Sequence, residues 1–89
     1  MKPTQNLLTK IENIIEKSGF KIRYEKGNFK GGYCVIEHEY IVVVNKFFPL
    51  EGKINTLIEA IETLPIKTEI LNNEEQKLYF QLRQQKLKF

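Results

Sequence analysis

The chain has one cysteine and one histidine, and they lie four positions apart as Cys34 and His38. A thiol and an imidazole within hydrogen-bond reach can form a nucleophilic pair. In one extended strand their Cα atoms would be roughly 13 Å apart, at about 3.3 Å per residue. We therefore expect a structural cysteine and a solvated histidine, and we predict that the protein is not an enzyme and has no catalytic residue.

The sequence also offers few side chains that could bind a metal ion. The chain contains no aspartate, so glutamate is its only carboxylate side chain. His38 could ligate a metal only together with Glu37 or Glu39, and that spacing matches no zinc motif. We predict no metal site and no cofactor.

A glycine-rich stretch, GNFKGGYC, occupies residues 27–34. Phosphate-binding loops of the P-loop and dinucleotide-binding types open a helix. Here Gly31 and Gly32 lead into a predicted strand, so neither template fits. We expect the stretch to connect two strands, with its glycines providing turn and bulge geometry.

Aromatic residues at predicted turns are the candidates for binding. Phe29 lies near the tip of the glycine-rich loop, between Lys26 and Lys30, and Phe47 and Phe48 precede a proline. One residue of the Phe47–Phe48 pair can cap the core while the other is exposed. Exposed aromatic side chains can contact a protein partner or stack on a base. We therefore take the three phenylalanines and the two neighbouring lysines as candidate binding residues, namely Lys26, Phe29, Lys30, Phe47 and Phe48.

Basic residues suggest an alternative function. The net charge is +3, and two stretches are rich in lysine and arginine. They comprise Lys21, Arg23, Lys26 and Lys30 in one stretch, and Lys77, Arg83, Lys86 and Lys88 in the predicted C-terminal helix. Such faces can bind phosphates, although the sequence contains no known nucleic-acid-binding signature. Nucleic-acid binding is therefore the alternative and is not favoured.

The elements that position these residues follow from hydrophobic periodicity. Leucine and isoleucine recur at helical spacing in residues 4–18, and residues 20–25 alternate as a half-buried strand does. Two further strands are predicted at 33–37 and 40–46, joined by a polar turn. Residues 40–44 are apolar on both faces, which predicts a well-buried strand that is either central or covered on both sides.

The second half of the chain is predicted to be mainly helical. A helix begins at Pro49 and ends at Pro65, residues 66–70 alternate as a fourth edge strand would, and Asn72 or Asn73 caps a last helix. Neighbouring strands with short links usually pair antiparallel. We therefore predict a single α+β domain over residues 1–89. It has a three-stranded antiparallel meander with a candidate fourth edge strand, packed by two to three helices in the order α-β-β-β-α-(β)-α.

The stretch GNFKGGYCVIEHEYIVVVNKFFPLEGKINTLIEAI, residues 27–61, resembles a group of small bacterial proteins of unknown function. They share a glycine-rich aromatic turn, a strand ending in Asn-Lys and a following helix. The resemblance implies a fold and a bacterial cytosolic setting, and it implies no activity.

The strand ending in VN and the helix NTLIEAI also look like the core of small zinc metallopeptidases found beside phage-type repressors. That family places H-E-x-x-H on this helix, where the present chain has EAIET at 59–63. Both histidines and the catalytic glutamate are missing. This resemblance implies an inactive scaffold, and no zinc site is carried over from it.

Compartment and partners follow from composition. A single cysteine leaves no internal disulfide, which favours the reducing cytoplasm. The N-terminus lacks the features of a signal peptide, and the longest apolar run is too short to span a membrane. We expect a small cytoplasmic protein that binds another protein or itself, with sheet edges that favour a homodimer.

Overall fold

The computed structural model describes residues 2–26 and 33–85. Within these ranges the chain forms three helices and three strands, with two short 3₁₀ turns. The elements are α1 (Gln5–Lys17), β1 (Lys21–Glu25), β2 (Tyr33–Ile36), a 3₁₀ turn (Glu37–Glu39), β3 (Ile41–Asn45), α2 (Leu50–Thr63), a second 3₁₀ turn (Thr68–Ile70) and α3 (Asn73–Gln85).

Local signals define the ends of the helices. The Thr4 hydroxyl accepts a hydrogen bond of 3.0 Å from the Leu7 N–H at the start of α1. After α1, Gly19 adopts a left-handed φ of 99°, as glycine commonly does just beyond a helix. At the start of α3, Asn72 and Glu75 form a capping box, in which each side chain accepts the backbone N–H of the other residue.

The predicted antiparallel meander is wrong. The chain is α+β in broad terms, but the strand order is β1-β3-β2, so β1 and β2 are not paired with each other. β1 runs parallel to β3, with Lys21 opposite Ile41, and β2 runs antiparallel to β3, with Val35 opposite Val42. The described residues therefore form a mixed sheet, with β3 at its centre.

Burial accounts for this order. Val42, Val43 and Val44 are all buried, whereas Lys21 and Arg23 in β1 are exposed. A strand that is apolar on both faces gains most from the centre of a sheet, and a strand with charges on one face tolerates an edge. The link between β1 and β2, residues 26–32, is long enough to cross two strand spacings, roughly 10 Å. Pairing in chain order would instead have placed β3, which is apolar on both faces, at an edge of the sheet.

The predicted fourth edge strand at 66–70 is also wrong, because Thr68–Ile70 forms a 3₁₀ turn. The Gln76 side chain donates hydrogen bonds to the carbonyls of Thr68 (2.9 Å) and Leu71 (3.2 Å). These two backbone carbonyls are therefore hydrogen-bonded to a side chain of α3 and not to a neighbouring strand. Ile70, the last apolar residue of the predicted alternation, is 47% exposed, whereas Leu71, which follows the turn, is buried.

The core lies between the helices and one face of the sheet. Val42 and Val44 of β3 are fully buried there, with Ile22 and Tyr24 of β1 packed beside them. From the helices, the fully buried large side chains are Ile11, Ile14, Ile15, Ile54, Leu57, Ile61 and Leu82. In the described parts of the chain, no helix has the length and apolar character needed to cross a membrane.

Candidate functional site

The parallel pairing of β1 and β3 brings several candidate residues to one end of the sheet. The N–H of Lys46 donates to the carbonyl of Glu25 (3.1 Å), so the two strands end side by side. Lys26 follows β1 directly, and Phe47 and Phe48 follow β3. We call Lys26, Asn45, Lys46, Phe47 and Phe48 the carboxyl-end surface. The candidates Phe29 and Lys30 lie outside the described residues.

The two adjacent phenylalanines of this surface have different environments. Phe47 is 67% exposed, the largest fraction among the exposed large hydrophobic side chains described. Phe48 packs against the core. A Cβ atom added at Gly52 would lie 3.2 Å from the Cβ of Phe48. The glycine therefore lets the first turn of α2 pack closely on Phe48, which leaves Phe47 as the aromatic ring presented to solvent.

Asn45 fixes the backbone that carries Phe47. Its side-chain oxygen accepts the Phe47 N–H at 2.9 Å, and its carbonyl accepts the Phe48 N–H at 3.2 Å. Such a turn is a usual role of asparagine. The Lys46 ammonium lies 5.2 Å from the centroid of the Phe47 ring, within the range of a cation–π contact. Phe47 is thus an exposed ring on an ordered turn.

Contacts of the Tyr24 side chain join the same end of the sheet to α1 and α2. The Tyr24 hydroxyl donates a hydrogen bond to the Glu12 carboxylate, and the Lys53 ammonium lies 5.1 Å from the Tyr24 ring centroid. Burial, followed by the hydrogen bond to Glu12, raises the pKa of Tyr24 well above its usual value near 10. The hydroxyl therefore stays a neutral donor that joins β1 to α1.

A groove of about 490 Å³ lies at the opposite end of the sheet, and we call it the amino-end groove. The side chains that define it are Phe20, Tyr40, Pro65, Ile66, Lys67 and Glu69. The hydroxyl of Ser18, which is buried, accepts the Lys67 N–H at 3.0 Å. This bond holds the segment after α2 against the end of α1, so the groove has two fixed walls.

Tyr40 forms part of this groove and departs from the sequence prediction. It was expected to begin a buried strand, but it precedes β3, is 59% exposed and has a φ of +55°. Its ring meets Phe20 edge to face at 5.7 Å, and its carbonyl accepts the Lys21 N–H at 2.8 Å. A bulky residue in the left-handed region is strained by about 1–2 kcal/mol, so packing and pairing must hold it there.

A second concavity, of about 650 Å³, runs between α1 and α3. Lysines and glutamates share its lining, including Lys10, Lys77 and Glu74. Nearby, Lys17 pairs with Glu75 at 2.7 Å, and this contact lowers the pKa of the Glu75 carboxyl. Because basic and acidic side chains both line this groove, its charge favours neither an anionic nor a cationic ligand. We therefore assign this groove no function.

The structure does not describe a catalytic group formed by Cys34 and His38, the two residues first considered as a nucleophilic pair. His38 is exposed on the Glu37–Glu39 turn, and the Cys34 side chain lies outside what the structure describes. Over residues 2–26 and 33–85, no three histidine, cysteine, aspartate or glutamate side chains are grouped as a metal site requires.

Sequence reasoning missed the amino-end groove altogether. Its walls come from residues near positions 20, 40 and 66, and no local pattern connects them. The only available signal was the polar turn before Tyr40, which gave no indication of a left-handed tyrosine.

Comparison of the chain with protein-family models, with curated proteins and with solved structures found no match in any of the three.

Proposed function

We propose that this chain is a small non-catalytic protein-interaction module that binds another protein, or itself, through the carboxyl-end surface. The observation that carries the proposal is the exposed Phe47 ring on the turn held by Asn45. Aromatic residues are enriched at protein interfaces, where one anchor commonly contributes a large part of the binding energy.

The order of the turn supports the same proposal. An exposed aromatic ring on a fixed backbone loses less conformational entropy on binding than a ring on a loose segment. Exposed lysines, Lys26 and Lys46, lie on the same surface and suit the polar rim of an interface. The interaction is thus built from one apolar anchor with positive charge around it.

Site-specific photo-crosslinking in cells tests this proposal. Phe47 is replaced by p-benzoylphenylalanine, and Glu62, an exposed residue of α2, is replaced in a matched control. We expect a discrete covalent protein adduct from position 47 and none from position 62. Equal, diffuse labelling at the two positions would contradict the proposal.

Nucleic-acid binding remains the second candidate because exposed lysines lie beside an exposed phenylalanine, a combination that single-strand binders use. It is weakened by Glu25, which pairs with Arg23 on the same strand. Fluorescence anisotropy with labelled oligonucleotides at roughly 50 and 200 mM salt distinguishes the candidates, since phosphate contacts weaken steeply over this range. Lys26→Glu/Lys46→Glu should abolish such binding, whereas Lys2→Glu/Lys10→Glu should preserve it.

We also propose that the protein works in the cytoplasm. The proposal is supported by the cysteine content, because a single cysteine cannot form an internal disulfide and proteins of the reducing cytoplasm rarely contain one. Fractionation of cells that carry the tagged chain tests it, and recovery outside the cytoplasm would contradict it.

A further inference from the structure

β1 lies at an edge of the described sheet, with β3 on one side and no described strand on the other. The Lys21 N–H donates to the Tyr40 carbonyl at 2.8 Å, and the Glu25 carbonyl accepts the Lys46 N–H at 3.1 Å. The first and last residues of β1 therefore direct these backbone groups towards β3. Because backbone groups alternate in direction along a strand, every second residue of β1 faces away from β3.

The free edge of β1 carries the backbone groups of Ile22 and Tyr24. Each residue offers one N–H and one C=O, and such groups on an edge strand are a template for pairing with another chain. In an antiparallel pair, two residues that face each other can exchange both of their hydrogen bonds. A second β1, laid antiparallel with Ile22 of each copy opposite Tyr24 of the other, therefore uses every backbone group at the free edge.

The same register matches the side chains of the two copies. It sets Lys21 of each copy opposite Glu25 of the other, and it sets Ile22 opposite Tyr24. Opposite charges and aromatic–β-branched pairs are both favourable across a strand pair. Arg23 meets its own counterpart at the two-fold axis, where like charges are unfavourable, but each Arg23 is ion-paired with Glu25 of its own chain.

Other antiparallel registers that use the same backbone groups fit less well. A pairing centred on Ile22 sets Lys21 opposite Arg23 twice, and like charges that face each other are destabilising. A pairing centred on Tyr24 pairs only residues 23–25 of each β1, and Lys21 then lies beyond the end of the partner strand. The sequence KIRYE of β1 is thus most complementary to itself in the register centred on Arg23.

We propose that the protein forms a symmetric dimer in which β1 pairs antiparallel with β1 of a second copy, extending the described sheet from three strands to six. The interface is isologous, so the same surface serves both copies. It is separate from the carboxyl-end surface and goes beyond the function proposed above. The five residues of β1 on each side are far fewer than the roughly 20–30 of a standard stable interface, so the dimer dissociates on dilution.

Sedimentation velocity on the purified chain, with charge-exchange variants, tests the proposal. Lys21→Glu places glutamate opposite glutamate across the dimer, and Glu25→Lys places lysine opposite lysine. We expect the wild-type mass to rise from monomer to dimer with concentration, and each variant alone to dimerise at least about tenfold more weakly. An equal mixture of the two variants should restore dimerisation, because each glutamate then faces a lysine.

The same exchanges on the helices provide matched controls. Lys77→Glu on α3 and Glu59→Lys on α2 change exposed residues outside β1, and both should associate as the wild type does. A mixture of Lys21→Glu and Glu25→Lys that associates no better than the separate variants overturns the inference. A wild-type chain that is monomeric at every concentration overturns it as well.

Hydrogen exchange of single backbone amides, measured by NMR, identifies the edge directly. The N–H groups of Ile22 and Tyr24 should exchange more slowly as the concentration rises through dimerisation. The Arg23 N–H points towards β3 and should be equally protected at every concentration, so it serves as an internal control. A dimer whose formation leaves the exchange of Ile22 and Tyr24 unchanged pairs through another surface, and the inference is then wrong.

Phe47→Ala separates this inference from the proposed function. Phe47 lies outside β1, so the substitution should leave dimerisation unchanged while it removes the anchor of the carboxyl-end surface. Loss of dimerisation in Phe47→Ala would assign self-association to the carboxyl-end surface and overturn the pairing of β1. An absence of any specific crosslinked adduct at position 47 would overturn the proposed function and leave the dimer through β1 intact.

Discussion

The two ends of the sheet expose aromatic rings in different ways. At the carboxyl end, an asparagine turn of ordinary geometry displays Phe47 while its neighbour Phe48 packs on the core. At the amino end, Tyr40 is exposed on a strained left-handed backbone and forms one wall of a groove. The first exposure requires no strain, whereas the second depends on long-range packing with Phe20 and on the pairing of Lys21.

The amino end should therefore be the more sensitive of the two to changes in distant residues. The carboxyl end depends on contacts between residues close in sequence, from Asn45 to Gly52. The amino end joins segments around positions 18, 40 and 67. Four substitutions, from the largest expected effect to the smallest, test this difference.

Leu57→Ala should damage both ends together. Leu57 is fully buried in α2, within the core that supports the whole sheet. Large-to-small changes at such positions cost about 2–5 kcal/mol, which urea unfolding measures. Glu59→Ala, on the exposed face of the same helix, should change the unfolding free energy by less than about 0.5 kcal/mol. Equal losses from the two variants would contradict the described core.

Ser18→Ala should act selectively on the amino end. It removes the acceptor of the Lys67 N–H from a buried position. An unsatisfied N–H of this kind costs about 1–3 kcal/mol, which thermal unfolding detects. Thr63→Ala is a matched control, since it removes a hydroxyl that donates within its own helix, to the Ala60 carbonyl. The prediction fails if Ser18→Ala is no more destabilising than this control.

Tyr24→Phe tests the support of the carboxyl end through pH. The pKa of Tyr24 is raised in the folded state, so the folded protein holds this proton more tightly than the unfolded chain does. That stabilisation is fully present below the usual tyrosine value near 10 and is lost as the pH rises above it. At neutral pH we expect a loss of about 1 kcal/mol on substitution.

Urea unfolding between neutral pH and pH 11 measures this dependence. The wild-type unfolding free energy should fall above about pH 10, and Tyr24→Phe should make the fall shallower. A Tyr24→Phe protein with an unchanged alkaline profile would show that the Tyr24 proton does not contribute.

Phe47→Ala should have the smallest effect on stability. Its ring is mostly in solvent, so the unfolding free energy should change by less than about 0.5 kcal/mol. Phe48→Ala, one position later and packed on the core, should cost about 1–2 kcal/mol. Two equal losses in thermal unfolding would contradict the division of roles between these neighbours.

Much of the secondary structure was predictable because it depends on local pattern. Helical spacing of apolar residues located α1 and α2, and the apolar run before Asn45 indicated a well-buried strand that proved to be central. The strand order was not predictable from the link between β1 and β2, because it depends on which strand gains most from burial on both faces.

The candidate sites divide in the same way. Phe47 and Phe48 could be selected as adjacent aromatics before a proline, but which one is exposed depends on Gly52 and the first turn of α2. The amino-end groove could not be predicted, because its walls are distant in sequence and one of them depends on the backbone conformation of Tyr40.

The central place of β3 also determines the order in which the sheet can form. β1 has no partner in the described sheet until β3 exists, since Lys21 pairs with Ile41, twenty positions later. Such non-local pairing slows folding, whereas the β2–β3 hairpin is local and can form early. During synthesis, α1 and β1 are therefore made first, and β1 stays without its strand partner until β3, the last strand, has been made.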